Sequence, residues 1–478
     1  MSNNEKSTFG LLPLLPKERE WNFLDFSVVN IGLSIATYCF LIGGTLSLFV
    51  GLKLGMAATL AGSTIAVIIM ALSSTQVASK YGLDQYVSLR SVFGSKGTKI
   101  PLLVIWFIEF GWVAILAIMF GKAMDTILGQ VFNFKSSNIT VIFFGLVALV
   151  IGWLIVSNGP KMMNKLNLIL APALVVTLIS MVGLILNSYS VIEIFAFSPT
   201  DPSENAWWNY MIAFELGLAA GFSWWPIMGG LARLTKSQRT AFWPNMIGLN
   251  LCAVAGCSIG LLTGLAIGNS DPTGWMIPLG GPILGIIALT IIACGNLTCI
   301  SSIIYSVTLS LKQIEGLVNV EWKKMTFIFV VPIIPLVLFP TQIYNNFFMI
   351  LAACGVCLGP ISAITLVDYF ILRKQKLDLF NLYKSGNNPY YFWKGYNFVA
   401  IFSFVISTAT YFVILNPITL ESTVIFLYMT ATIPVTLLAG GLYYILTKLI
   451  VIPKGLGGYA PKRELTTVKN ETLLKEKF

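Results

Sequence analysis

Long apolar runs recur along the whole chain, and two of them, near residues 26–50 and 208–228, are interrupted by small residues at matching places in the two halves. The first holds Gly32-Leu33-Ser34-Ile35-Ala36 and the second Ala219-Ala220-Gly221-Phe222-Ser223. A bilayer core about 30 Å thick is crossed by about 20 apolar helical residues. On that rule the sequence predicts twelve spans, near 26–50, 54–76, 101–128, 139–157, 163–187, 208–228, 242–268, 280–311, 325–340, 345–372, 396–415 and 421–449. A helix weakened at mid-depth offers backbone N–H and C=O groups that lipid cannot satisfy and that a bound polar solute or ion can. Paired interruptions of this kind imply a small-solute site near the middle of the membrane.

Composition agrees with an integral membrane protein. Hydrophobic residues make up 56% of the chain and charged residues 10%, against about a quarter charged in soluble domains. The net charge of +10 could suggest nucleic acid, but the placement of the charges is topological. With the amino terminus inside, 27 of the 30 Lys and Arg fall on inner segments, leaving Lys53, Lys122 and Lys135 outside. That bias fits twelve spans with both termini cytoplasmic in a plasma (inner) membrane. The first nineteen residues lack a short apolar core with a cleavage site, so no signal peptide is expected and the first helix directs insertion. Three regions follow: a cytoplasmic segment over 1–25, a transporter domain over 26–449, and a disordered cytoplasmic tail over 450–478 rich in Gly, Pro and charge. Within the domain, 26–187 and 208–372 read as two five-helix repeats, the second inverted because each copy has an odd number of helices, and 396–449 as two appended helices.

All seven cysteines fall in apolar spans and read as packing residues. Cys354-x-x-Cys357 has no second pair, and there is no histidine anywhere, so a metal or redox centre is not expected. The same absences, with no acidic cluster, argue against a membrane-embedded enzyme and against any cofactor.

Four stretches resemble the nucleobase–cation symporters: LLPLLPKEREW at 11–21, YGLDQYVSLRSVFGSKGTKIP at 81–101, LGPISAITLVDYFILRKQKLDLFNLY at 358–383, and YYFWKGYNFVA at 390–400. The third is the most specific. The resemblance covers roughly residues 10–400 and implies an all-α LeuT-like fold, ten core helices plus two, working as a monomer. It implies import of a nucleobase or related heterocycle, of cytosine/purine, hydroxymethylpyrimidine, allantoin or hydantoin type, by alternating access driven by Na+ or H+. An amino-acid or amine permease of the same fold is the alternative.

By this resemblance Trp112, eleven residues after Pro101, is the substrate-stacking indole. Stacking on an aromatic face contributes about 0.5–1.5 kcal/mol beyond burial for a good pair. Counting back from Arg233 puts Gly221 in the break of the sixth span, where its lack of a Cβ lets backbone approach a ligand. Phe222 would be the second aromatic, with Trp224 and Trp225 competing for that role. Three family amide positions are replaced, by Ala36, Leu116 and Ser302. A hydroxyl cannot pair bidentately with a ring edge as an amide does. For sodium, the resemblance points to carbonyls of Gly32, Ile35 and Ala293. The two family hydroxyl positions hold Asn296 and Leu297, so Thr298 is needed to supply a hydroxyl.

Two acids lie deep inside spans, away from their ends, Glu109 one turn before Trp112 and Glu215 ahead of the sixth-span break. An intramembrane carboxylate costs at least about 2.5–3.5 kcal/mol on insertion scales and often marks an ion or proton path. Glu109 shares a helix face with Trp112. Either acid is a candidate substrate acceptor or proton carrier, and pairing of Glu109 with Lys122 is the structural alternative. Asp368, Arg373 and Lys374 read as boundary charges, and Gly359-Pro360 as a place where the tenth span could bend as an outer gate.

Overall fold

In a computed structural model the described residues are 12–312, 314, 316–384, 386 and 388–459. Residues 1–11 and 460–478, which hold much of the two cytoplasmic regions expected from sequence, lie outside them. The described chain is helical, with no strand among the described residues. The helices that frame the molecule are α1 (Phe23–Ser34), α2 (Thr37–Leu46), α3 (Leu52–Tyr81), α4 (Lys99–Phe132), α5 (Asn138–Ser157) and α6 (Pro160–Ser188). They continue as α7 (Ala206–Phe222), α8 (Trp225–Ala232), α9 (Gln238–Ile267), α10 (Pro272–Leu311), α11 (Trp322–Val330), α12 (Phe347–Leu372), α13 (Phe398–Ile414) and α14 (Thr432–Val451).

Among the described residues nine helices are long and apolar enough to cross a bilayer, or ten if the bent pair α1–α2 is one span. The two other expected spans are shorter. The one near 325–340 is divided into α11, Ile334–Val337 and Pro340–Asn345, because Pro332, Pro335 and Pro340 each remove a ladder donor. The one near 396–415 is α13, 17 residues long.

The expected interruption of the first span is present. Ile35 (φ −102°, ψ 92°) and Ala36 (φ −147°, ψ 176°) are extended, and the axes of α1 and α2 differ by 53°. The second interruption is milder and later than expected. Gly221 lies within α7, and the turn comes at Ser223 and Trp224, both still in the right-handed helical region. Gly221 instead serves a helix crossing: a Cβ there would lie 2.6 Å from Ala66 Cβ and 3.0 Å from Ser63 O of α3. Small residues let membrane helices approach this closely. The same device joins α2 to α9, where a Cβ on Gly260 would lie 2.1 Å from Phe40 O. α10 crosses the α1–α2 break, and α4 packs along α10.

Candidate functional site

The break between α1 and α2 frees carbonyls, and the local sequence meets them with side chains. Thr298 Oγ1 of α10 donates to Gly32 O at 2.6 Å, and Cys299 Sγ donates to Leu33 O at 2.9 Å. Tyr38, the second residue of α2, donates from its hydroxyl toward Leu33 O at 2.9 Å and Ser34 O at 3.1 Å. On the donor side, Asn296 Oδ1 accepts from Thr37 Oγ1 at 2.8 Å and from Thr37 N at 3.3 Å. Gly295 permits this crossing, since a Cβ there would lie 2.5 Å from Ile35 O.

Four of the five residues expected at a cation site, Gly32, Ile35, Asn296 and Thr298, therefore meet where α10 crosses the break. Ala293 is buried on the same helix, three residues before Asn296. Leu297 is turned aside and half-buried. Thr37, which the sequence reading did not single out, adds a hydroxyl to the group. The set is made of carbonyl, hydroxyl and amide oxygens, the hard donors a small monovalent cation takes.

Beside this crossing lies a small cavity lined by Tyr38, Glu109, Trp112, Ser223, Trp224, Ile227, Cys299 and Ile303. Tyr38 is the aromatic hinge of the site. Its ring stands edge-on to Trp112 (5.7 Å between centroids, 86° between planes) and to Trp224 (6.0 Å, 70°). The break positions it, because its hydroxyl is held by the carbonyls that the break exposes. Trp112 is further fixed by an edge contact with Phe347 at 5.8 Å and by donation from Nε1 to Cys354 Sγ at 3.2 Å. Cys354 thus orients the indole, a role that no spacing in the sequence signals.

Glu109 is fully buried, and neither carboxyl oxygen has a hydrogen-bond partner among the described residues. The structural alternative of a Glu109–Lys122 pair is not what forms. Lys122 pairs with Asp271 and sits over the Tyr344 ring at 3.6 Å. Among the described residues no Lys or Arg lines the cavity.

Several expected site residues lie elsewhere. Phe222 faces α12, with its Cε2 3.6 Å from where a Cβ on Gly359 would be, so Trp224 is the aromatic that lines the cavity. Trp225 is directed to Ser73, 3.0 Å from its Nε1. Ala36 packs on Gly295, and Leu116 is buried within α4 without lining the cavity. Ser302 sits between the lining residues Cys299 and Ile303 on α10, fully buried, with its Oγ unpartnered. Glu215 is also away from the cavity. It accepts from Tyr411 Oη (2.8 Å), Ala431 N (3.2 Å), Thr432 N (3.0 Å) and Thr432 Oγ1 (2.6 Å), which ties α7 to α13 and to the start of α14. Gly359 and Pro360 follow a widened π turn at Cys354–Leu358 in α12, and Gly359 packs against Thr436.

Asp368 is more than a boundary charge. It is buried, pairs with Arg373 at 2.6 Å, and accepts from Tyr443 (2.9 Å) and Tyr459 (2.6 Å). The Cys354-x-x-Cys357 pair has no metal-holding group around it among the described residues.

A multi-pass helical bundle with a broken first span wrapped around an aromatic cavity is the architecture of a membrane transporter. The structure of Mhp1, described as a nucleobase-cation-symport-1 family transporter in a closed conformation with bromovinylhydantoin bound, superposes with a TM-score of 0.74 at 18% identity, covering 92% of this chain and 96% of that one. A Na+-coupled sialic acid symporter superposes at 0.63 with 12% identity, covering 94% of each chain. These likenesses establish the fold. Sequence carries the identification further: residues 13–433 match the family described as permeases for cytosine/purines, uracil, thiamine and allantoin, and the chain belongs to that family. Among its relatives, the purine-uracil permease NCS1 of Arabidopsis thaliana is 26% identical over 83% of this chain and 69% of that protein. The hydantoin permease of Microbacterium maritypicum is 22% identical over 83% and 82%. The protein is a transporter of nucleobase-related compounds, not an enzyme.

Proposed function

We propose that this chain imports a flat nitrogen heterocycle by cation-coupled symport with alternating access, and that the substrate binds in the cavity between Trp112 and Trp224. The observation that carries this reading is the meeting, at one helix break, of a fixed indole and a buried carboxyl with no protein partner. The heterocycle would lie on Trp112 beside Tyr38 and place polar edge atoms at Glu109. Gly32, Ile35, Ala293, Asn296, Thr298 and Thr37 would hold Na+ next to it, while Glu109 is the group able to carry H+ if the coupling ion is a proton. Coupling requires the ion to bind the outward, substrate-ready state more tightly than the inward one, since equal affinity shifts nothing. Twelve spans in a five-plus-five inverted arrangement with two appended helices, both termini cytoplasmic in the plasma membrane, and a monomeric carrier complete the proposal. Gly359-Pro360 would bend α12 over the outer mouth.

The test is uptake into proteoliposomes under imposed Na+ or H+ gradients, with nucleobases, hydantoin and allantoin as substrates and amino acids as competitors. Trp112→Ala should reduce saturable uptake by about tenfold or more, the effect of losing roughly 1.4 kcal/mol of binding. Competition by amino acids but by no heterocycle would replace this reading with the amino-acid permease.

A further inference from the structure

Most of the polar groups around the cavity are already committed to the protein. Tyr38 donates to the Leu33 or Ser34 carbonyl, Cys299 to the Leu33 carbonyl, Ser223 to the Ala220 carbonyl at 2.6 Å, and Trp112 to Cys354. Glu109 alone presents two polar atoms with nothing bonded to them. Ionised, the Glu109 carboxyl is acceptor-only and its two oxygens fit two parallel N–H donors in a fork; protonated, it offers one O–H donor and one acceptor. Among the described residues, none of those lining the cavity carries an amide side chain that could supply a mixed donor–acceptor edge.

From this inventory, and resting on the reading that the substrate stacks on Trp112, we infer that Glu109 is ionised when substrate is bound and that the substrate edge completing it carries two adjacent N–H donors: an exocyclic amino group beside a ring N–H. Guanine and isocytosine present such an edge as neutral molecules, and a 4-aminopyrimidine presents it once its ring nitrogen is protonated. Uracil, xanthine and hydantoin present the opposite pattern, a ring N–H flanked by carbonyls. Their oxygens would face the carboxylate lone pairs, and a buried acceptor without a donor is costly. Charge leads the same way. No Lys or Arg among the described residues lines the cavity, and Lys122 is held by Asp271, so a donor-rich or cationic edge is what matches the site. Within the range of compounds handled by the family, the edge at Glu109 would thus select the amino-bearing rings over the oxo and ureide ones.

The experiment uses the purified full-length protein in detergent, with affinities from calorimetry and thermal shifts. The ligands are guanine, hypoxanthine and xanthine, which vary in the substituent at ring carbon 2 (amino, hydrogen, oxo, the oxo form also bearing a hydrogen on ring nitrogen 3), and the one-ring pair isocytosine and uracil. Binding of the amino member should exceed that of its partners by about tenfold or more, as for a hydrogen bond to a charged group. Glu109→Gln, whose amide offers one donor and one acceptor, should erase or reverse that order. Trp112→Ala should weaken every ligand alike. If the heterocycles bind and Trp112→Ala weakens them, but affinity is flat across the carbon-2 series or the oxo members bind best, the inference about the edge is wrong while the stacking site stands. If no heterocycle binds the native protein, or Trp112→Ala leaves affinity unchanged, the stacking site fails and the edge inference falls with it. The amino-to-oxo ratio also separates a merely structural Glu109, whose replacement would leave the order intact.

Discussion

Glu109 and Glu215 are both carboxyls buried inside membrane helices, and their surroundings are opposite. Glu215 receives four hydrogen bonds from Tyr411, Ala431 and Thr432. Glu109 receives none and lines a cavity. The difference teaches which buried acid is available to a ligand. A carboxylate that meets enough donors within the protein can persist in a low-dielectric interior as a structural joint. One that meets none is either neutral or completed by something that arrives from outside. From sequence the two were equivalent candidates for a proton carrier, and the structure leaves only Glu109 at the cavity.

The largest expected effect would break or uphold this contrast directly. Glu215→Ala strands the hydroxyls of Tyr411 and Thr432 and the amides of Ala431 and Thr432. Each buried donor left unpaired costs about 1–3 kcal/mol. Thermal unfolding followed by size-exclusion fluorescence should show severe loss of folded carrier, equivalent to about 3 kcal/mol or more. Glu109→Ala strands no protein donor and should leave the melting temperature within a few degrees of the native value. A larger loss for Glu109→Ala than for Glu215→Ala would reverse the assignment of roles.

What could be read from the chain follows the range of the interactions involved. The break at Ile35–Ala36 was legible because small residues sit in succession inside one apolar run. Trp112 was singled out through the family resemblance and Glu109 because acids are rare inside spans, and residues three apart on a helix share a face. Tyr38 was not, since its place between the two tryptophans depends on a 53° bend whose size no local pattern encodes. Gly221 was read as a point of weakness, whereas its missing Cβ serves the contact with Ser63 and Ala66. Glycine in a membrane helix has both uses, and only the neighbour decides between them. The partners of Glu215 lie 196 to 217 residues further along the chain. Asp368 and Arg373 were grouped as boundary charges, but their bonds to Tyr443 and Tyr459, 75 and 91 residues beyond Asp368, escaped for the same reason.

A second, smaller effect sharpens the comparison by asking whether Glu109 or the crossing at α10 carries the coupling ion. Thr298→Val removes the hydroxyl bonded to Gly32 O while keeping nearly the same volume. Under Na+ coupling, the sodium concentration for half-maximal thermal stabilisation should rise by about tenfold, the effect of roughly 1.4 kcal/mol. Under H+ coupling, Thr298→Val changes ion dependence little, and Glu109→Gln removes the pH dependence of uptake. A variant pair in which both ion responses stay intact would place the coupling site elsewhere.

The smallest effect concerns a third buried carboxyl, which tests whether nearby cations make an unpartnered acid behave like Glu215. Asp84 lies in the connection between α3 and α4, outside the spans, fully buried and without a hydrogen-bond partner for either oxygen. Burial pushes its carboxyl from the ordinary 3.8 up to about 7, against the opposing pull of Arg233, the Tyr86 and Gln85 amides and Arg90. A folded-state value above the unfolded one means that the folded protein binds the extra proton between the two values, so stability falls as pH rises through that window. The contribution of Asp84 is then most favourable below about 3.8 and is lost by the time pH passes about 7. Asp84→Asn, neutral at every pH, should therefore gain on the native protein in melting temperature as pH rises from mildly acidic to alkaline, by a few degrees at most. A variant that becomes relatively less stable on the alkaline side would mean that attraction to Arg233 and Arg90 outweighs burial, and that Asp84 belongs with Glu215 as a paired joint rather than with Glu109.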